Sequence, residues 1–518
     1  MKTFIGMDFG SDSARAILVD MSGNILNESV FTYPRWEKRR FCDASRNILR
    51  QHPADYLEAV MFLIDDVLKN QDKSRLAGIA VDATSSTVCA VDGEGVPLAL
   101  LPEFQNDPDA MFFLWKDHSA IDEADEINRA AENFPDMDLR MYSGGSYSCE
   151  WFWSKALYVL RRNSKAAGKT ASFVELGDWL AALLCGNTMP ESMKRSRCFA
   201  GHKALWNKQW NGLPPKEFFA ALDEKLAFIA EKFPKETFTA DIPVGVISPS
   251  WAERFGIPLD TVIGGSMIDC HAGAVGAGIR EKELIKVIGT SCCDIVISKD
   301  ITRAVEGICG QVDGSVLPGY IGFEAGQAAF GDIFSWFKSL LEYGGNTIDF
   351  NKLSLEAEKL APNRTLIACD HFNGRRSPFA DASAAGALYG LTLGTTAPEI
   401  YRSLAESAVM GAKKIIDHFQ ANGIEIDSIK AVGGISSKSP FIMQLFADIT
   451  GMPIAVSSAS QACALGAAIC AASASKAYPD IFIAMQNMSG RNEKTYIPDP
   501  QKTAVYREIY QKYCAIAD

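Results

Sequence analysis

Thr3-Phe-Ile-Gly-Met-Asp8-Phe-Gly10-Ser11-Asp-Ser13-Ala-Arg15-Ala-Ile-Leu-Val-Asp20 is the stretch on which the fold turns. Two apolar runs flank a glycine-centred polar turn, the pattern of strand, tight turn, strand. Met21-Ser-Gly-Asn24 then reverses the chain, and residues 25–32 resume as a third strand. The layout returns at Glu283-Leu-Ile-Lys-Val-Ile-Gly289-Thr290-Ser-Cys-Cys-Asp-Ile-Val-Ile-Ser298. Identity between the two stretches is weak. Two strand–Gly–strand units in one chain nevertheless suit a pseudo-two-fold molecule in which each half offers a phosphate-facing hairpin.

Working outward, residues 54–69 show helical periodicity and residues 76–82 read as a buried strand ending at Asp82. Residues 261–268 form a strand that delivers Asp269 to a small-residue helix over 271–278. Residues 429–432 are a strand leading through Gly433-Gly434 into a helix that runs to Thr450. A short strand at 453–456 precedes a second small-residue helix at 462–474. The expected domains are therefore residues 1–257 and 258–518, with the Trp- and Phe-rich region 100–250 elaborating the first.

The bulk composition sets limits. A chain of 518 residues, 47% hydrophobic and 22% charged, buries a sizeable core as two or three domains. A net charge of −12 argues against a general nucleic-acid binder. It leaves a nucleotide ligand open, because phosphates are held by local amides, Lys and Mg2+. The 13 cysteines contain no CxxC pair and read as small buried thiols of a reducing compartment. Lys2 is followed too soon by Asp8 for a leader peptide, and the longest uncharged run, between Pro453 and Lys476, is too polar to span a bilayer. The expectation is a cytoplasmic protein without membrane or nucleic-acid partners.

Several residues carry chemistry. At the first turn, Gly10 exposes amides, Ser11 and Ser13 add hydroxyls, Asp8 suits Mg2+, and Arg15 suits phosphoryl charge. No GKS or GKT follows, so this is not a Walker A loop; an ordinary polar hairpin is the competing reading. Asp269, at a strand end before a helix, suits a general base that accepts a hydroxyl proton. An N-cap role competes with that, and His271 is a rival base. Gly289-Thr290 is a second phosphate-sized turn, and Gly433-Gly434 before a helix suits an adenosine or α-phosphate.

In combination these motifs resemble the FGGY carbohydrate kinases of the actin/Hsp70-like ATPase fold. The carrying residues are Asp8-Phe-Gly-Ser11, Gly265-Ser-Met-Ile-Asp269, Gly289-Thr-Ser291, Asn373-Gly-Arg-Arg376, Gly433-Gly434 and Leu465-Gly-Ala-Ala468, and the resemblance runs from about residue 3 to about residue 475. Within the family, Leu114-Trp-Lys-Asp-His118, Glu150-Trp-Phe-Trp153, Ala200-Gly-His-Lys-Ala-Leu-Trp206 and Gly322-Phe-Glu-Ala-Gly-Gln327 are similar to the branch that phosphorylates L-ribulose.

The resemblance implies an α/β fold of two actin-like (RNase H-like) ATPase domains with an interdomain cleft. It implies transfer of the γ-phosphate of MgATP to the 5-hydroxyl of L-ribulose or another ketopentose. Asp269 matches the base, Asp8 the Mg2+-associated aspartate, and Gly10, Ser11, Ser13 and Arg15 the first phosphate loop. Gly289 and Thr290 match the second loop, with Gln327 near the phosphates, and Gly433 and Gly434 match the adenosine site. Lys203 and Glu324 match ketose-binding positions, and Ala83 a backbone contact to the sugar. The Ser436-Ser-Lys-Ser439 run departs from the Asn found there in many members, so only the glycines carry over to the adenosine site. A xylulokinase or other pentulose kinase shares all of the ATP-site residues, and a chaperone-like actin-fold ATPase is the alternative from another class. A homodimer is compatible with every reading.

Overall fold

The computed structural model describes residues 1–135, 137–345 and 347–517. It divides into two compact units: residues 1–278, 310–322 and 461–490 form the first, and residues 279–309, 323–460 and 491–518 the second.

The first unit is built on a seven-stranded sheet. Its strands are β1 (Thr3–Phe9), β2 (Ser13–Asp20), β3 (Ile25–Thr32), β4 (Leu76–Ala83), β5 (Pro243–Val246), β6 (Val262–Gly264) and β7 (Met267–Ile268). The order is β5-β6-β4-β1-β2-β3, with β7 pairing β4 beyond the end of β6. β1 is buried at every position, as a central strand covered on both faces requires. β3, at the edge, is largely exposed. β1–β2 and β2–β3 are antiparallel, whereas β1–β4 and β4–β6 are parallel.

In the second unit β8 (Glu283–Ile288), β9 (Cys292–Ser298), β10 (Ile321–Gln327), β11 (Ser428–Val432), β12 (Ile454–Ser457) and β13 (Asn492–Tyr496) follow the order β10-β9-β8-β11-β12-β13. β8–β9 is antiparallel and β8–β11–β12 parallel. The strand order therefore repeats between the units, as expected of two actin-like α/β domains, and both predicted strand–Gly–strand stretches are hairpins. The predicted strand at 261–268 is interrupted: Gly265 and Ser266 separate β6 from β7.

A single cut near residue 257 does not describe these units, because the chain returns. Helices Asp269–Gly276 and Ala462–Ala474 both pack in the first unit, against each other and, for the latter, against β1 and β4. Their small residues explain the return. A Cβ placed on Gly6 would lie 1.8 Å from the Ala464 carbonyl oxygen, so helix Ala462–Ala474 rests on β1 backbone to backbone. A Cβ on Gly466 would lie 1.9 Å from the carbonyl oxygen of Ala272, so the two helices touch in the same way. Only residues without bulk permit such spacing at the contact, which is why Gly and Ala dominate both helices.

The aromatic middle region forms its own core in the first unit, where Phe104, Phe113, Trp151, Phe152, Trp153, Phe218 and Phe219 are all buried. Trp151 and Trp153 belong to that core. All 13 cysteines are free thiols. Among the described residues no helix is long and apolar enough to cross a membrane.

Gly466→Ala is expected to force the two small-residue helices apart. Overpacking of this kind costs typically about 1–3 kcal/mol. A lowered thermal midpoint by calorimetry, together with lost activity, would confirm the contact; an unchanged midpoint would contradict it.

Candidate active site

Strand register assembles the acidic group of the first unit. Asp8 pairs with Arg15 across β1–β2 and with Asp82 across β1–β4. β7 sets Ile268 opposite Ala83, so Asp269 emerges one residue beyond the end of β4. Asp8, Asp82 and Asp269 thus converge where three strands end. Asp82 is fully buried, and among the described residues no N–H or O–H donor reaches either of its carboxylate oxygens. Desolvation above all, then the charges of Asp8 and Asp269, push its carboxyl far above the usual range. Burial also raises Asp8, offset by the Arg15 guanidinium and by the neighbouring Asp82 carboxyl. The physical picture is an Asp82 carboxyl that keeps its proton beside Asp8. Asp82 was given no role from sequence. Its signal was there: an aspartate ending a strand that runs parallel to the strand of Asp8.

Asp269 opens helix Asp269–Gly276, and its Oδ1 accepts from the Cys270 backbone N–H at 2.7 Å. The residue in the capping position is Ile268, without a side-chain cap, so the N-cap reading of Asp269 does not hold. His271, the rival base, is fully buried and packs edge-on against the His202 ring, with centroids 4.6 Å apart.

The first turn is ordered by its own bonds. The Gly10 N–H donates to the Ser13 carbonyl at 3.1 Å. Ser11 accepts from the Gln51 amide at its carbonyl (2.7 Å) and from the Trp115 indole at its hydroxyl (2.8 Å). Ser13 begins β2. Arg15 lies 3.5 Å from Asp8 and is 44% exposed, so the pair is loose. Ala83 is buried between Phe9 and Ile268. Lys203 ends a helix, Arg197–Lys203, with its ammonium 5.2 Å from the Trp151 ring.

The second unit brings the other predicted residues to the end of its own sheet. β8 ends at Ile288 beside the end of β11 at Val432, so Gly289-Thr290 and Gly433-Gly434 are neighbours. All four are exposed. The Thr290 carbonyl accepts from the Phe330 and Asp332 N–H groups at 2.8 and 3.1 Å, which fixes the turn. Gly433 has φ 101° and a Cβ there would lie 2.4 Å from the Ile288 carbonyl oxygen, so only glycine fits. A Cβ on Gly434 would meet nothing within 4 Å, so the space on that side of its backbone is open.

Glu324 and Gln327 lie on β10, both buried. The Gln327 amide donates to Asp370 Oδ2 and to the Ala408 carbonyl, each at 2.8 Å. Those bonds occupy both of its N–H donors.

One unit therefore presents carboxylates and the other presents amides. Comparison with known proteins gives this arrangement its class. Residues 284–475 match the FGGY family of carbohydrate kinases, C-terminal domain. A relative from Vibrio parahaemolyticus named ribulokinase is 41% identical, covering 99% of this chain and 96% of its own. Another ribulokinase, from Geobacillus thermodenitrificans, is 35% identical over 100% of this chain and 94% of its own. The solved xylulose kinase of Rhodospirillum rubrum superposes with a TM-score of 0.82 at 20% identity, covering 99% of this chain and 98% of its own, a likeness of fold.

The chain belongs to the FGGY family of carbohydrate kinases. It is an ATP-dependent carbohydrate kinase, with a sugar and ATP as substrates.

The raised Asp82 carboxyl has a consequence for stability. A carboxyl whose value is raised on folding contributes stability that is fully present below its unfolded value, about 3.9 for Asp, and lost as pH rises through the folded value. In metal-free buffer Asp82→Asn removes that loss. The variant is expected to melt above the wild type near about pH 7.5, with the gap closing toward about pH 4. Calorimetry across that range checks it; a variant melting below the wild type near neutral pH would contradict it.

Proposed function

We propose that this kinase phosphorylates L-ribulose at its 5-hydroxyl, with MgATP as donor. The observation that carries the reading is the convergence of Asp8, Asp82 and Asp269 at one sheet end, in a chain 41% identical over nearly its whole length to a protein named ribulokinase.

Asp269 serves as the base. Its carboxylate stands at a helix start beyond the buried carboxyl pair and takes the proton of the attacking hydroxyl. Asp8 and Asp82 fit Mg2+: both are hard oxygen donors, and the Asp82 oxygens are buried without a donor, which a cation would satisfy. Bound there, Mg2+ would screen phosphate charge. The Gly10 N–H is spent inside the turn on the Ser13 carbonyl, so the first loop offers the Ser11 and Ser13 hydroxyls to phosphate oxygens, and Arg15, exposed and only loosely held, supplies positive charge. In the second unit the exposed Gly289-Thr290 turn and the Gly433-Gly434 helix start take the nucleotide phosphates and adenosine.

Lys203 only donates and ionised Glu324 only accepts, so the two together suit a ketose that offers a carbonyl and hydroxyls. Ala83 would contribute its backbone.

Two measurements test this. Asp269→Asn keeps the side-chain size but loses the proton acceptor; sugar-dependent ADP release is expected to fall roughly 10²–10⁴-fold, with ATP binding retained. Near-normal turnover in the folded variant would remove Asp269 from the role. A panel of L-ribulose, D-ribulose, L-xylulose and D-xylulose with MgATP should rank L-ribulose first, and EDTA should abolish turnover until Mg2+ is restored. Lys203→Ala and Glu324→Ala should weaken use of L-ribulose far more than ATP binding. D-xylulose outranking L-ribulose would overturn the assignment of the sugar.

A further inference from the structure

Beside the two buried carboxyls stands a thiol that the kinase reaction does not use. Cys463 is the second residue of helix Ala462–Ala474, the helix pressed backbone to backbone onto β1. Its Sγ and one carboxylate oxygen each of Asp8 and Asp82 lie within 4.8 Å of one another. The three come from three separate elements, β1, β4 and the helix, each fixed by packing. Cys463 is only partly buried, so the site opens to solvent on its side, while Asp82 closes it from below, fully buried and with both oxygens lacking a donor.

This donor set is mixed. Mg2+ takes an octahedral shell of oxygens and gains nothing from a thiol. Zn2+ and Cd2+ take thiolate readily together with carboxylate. Three protein ligands plus an open position is also the usual form of an accessible zinc site. The close contact of the helix with the sheet calls for a small residue at position 463, and cysteine meets that need while adding a soft donor beside two carboxyls.

We infer that Asp8, Asp82 and Cys463 form a binding site for one thiophilic divalent cation, of the Zn2+ or Cd2+ class. The cation replaces the protons of the thiol and of the carboxyl pair, so three ligands become available at once. Because Asp8 and Asp82 are also the residues proposed above to hold Mg2+, occupancy by the softer ion inhibits the kinase. That consequence rests on the proposed function; the binding site does not.

The test uses the whole chain and Cd2+ as probe. Titration of metal-free protein is followed by the ultraviolet thiolate-to-Cd2+ charge-transfer absorbance and by calorimetry. One Cd2+ per chain is expected at this site, with the absorbance diminished in Cys463→Ser. Affinity in that variant should fall by more than the roughly 10-fold that loss of even an outer-shell partner costs. Asp82→Asn should weaken binding as well, and circular dichroism checks that both variants fold. Equal absorbance and affinity in wild type and Cys463→Ser would overturn the site. Inhibition is read for each protein as the ratio of its activity with and without Cd2+ at fixed Mg2+. If binding requires Cys463 but bound Cd2+ leaves wild-type turnover unchanged, the cation site stands, and the assignment of Asp8 and Asp82 to Mg2+ falls instead.

Discussion

The first unit depends on one contact, the seating of helix Ala462–Ala474 on β1 with no side chains between them. The carbonyl of Ala464 occupies the volume a side chain at position 6 would fill, and the carbonyl of Ala272 does the same at position 466. Dispersion forces fall off steeply with separation, so such spacing gains many close contacts. It also tolerates no added methyl. Because the helix comes from the last part of the chain and β1 from the first, the contact closes a long loop. It also makes the first unit discontinuous in sequence. The chemistry follows from it: helix Asp269–Gly276, which begins at Asp269, is held by Gly466, and Cys463 is carried to the ends of β1 and β4 by the same helix.

That geometry creates an electrostatic problem. Three aspartates meet at one sheet end, with one exposed arginine in loose contact. A buried carboxylate without a donor is costly, and burial accordingly raises the proton affinity of Asp82. The resting site is therefore uneconomical for stability and suited to a cation. Buried acceptors with raised proton affinity are typical of functional sites.

Most of the architecture was legible in the sequence, for identifiable reasons. The strand–Gly–strand hairpins are apolar runs broken by polar glycine turns, and they fold as written at residues 3–20 and 283–298. The small-residue helices were visible as composition. What their composition meant was not, since nothing local says that position 466 faces Ala272, and so the return of residues 461–490 to the first unit went unread. Asp82 was overlooked for a related reason. Its strand was recognised, but its importance lies in a parallel register with β1, which only the assembled sheet displays. The interruption at Gly265-Ser266 is likewise a matter of pairing, because β6 and β7 contact β4 at two separated places.

The repeated strand order lets the two sheets be compared position by position. In the first unit the residue before the last of β1 is Asp8, and its parallel partner on β4 is Asp82. In the second unit the residue before the last of β8 is Val287, and its parallel partner on β11 is Val432. The same place in the same fold thus carries two carboxyls in one copy and two valines in the other. Beyond the valines the chain offers exposed glycines at 289 and 433. A change of side chain at two registered positions, with the same strand order, therefore sets a carboxyl-bearing sheet end in one unit apart from an apolar one in the other.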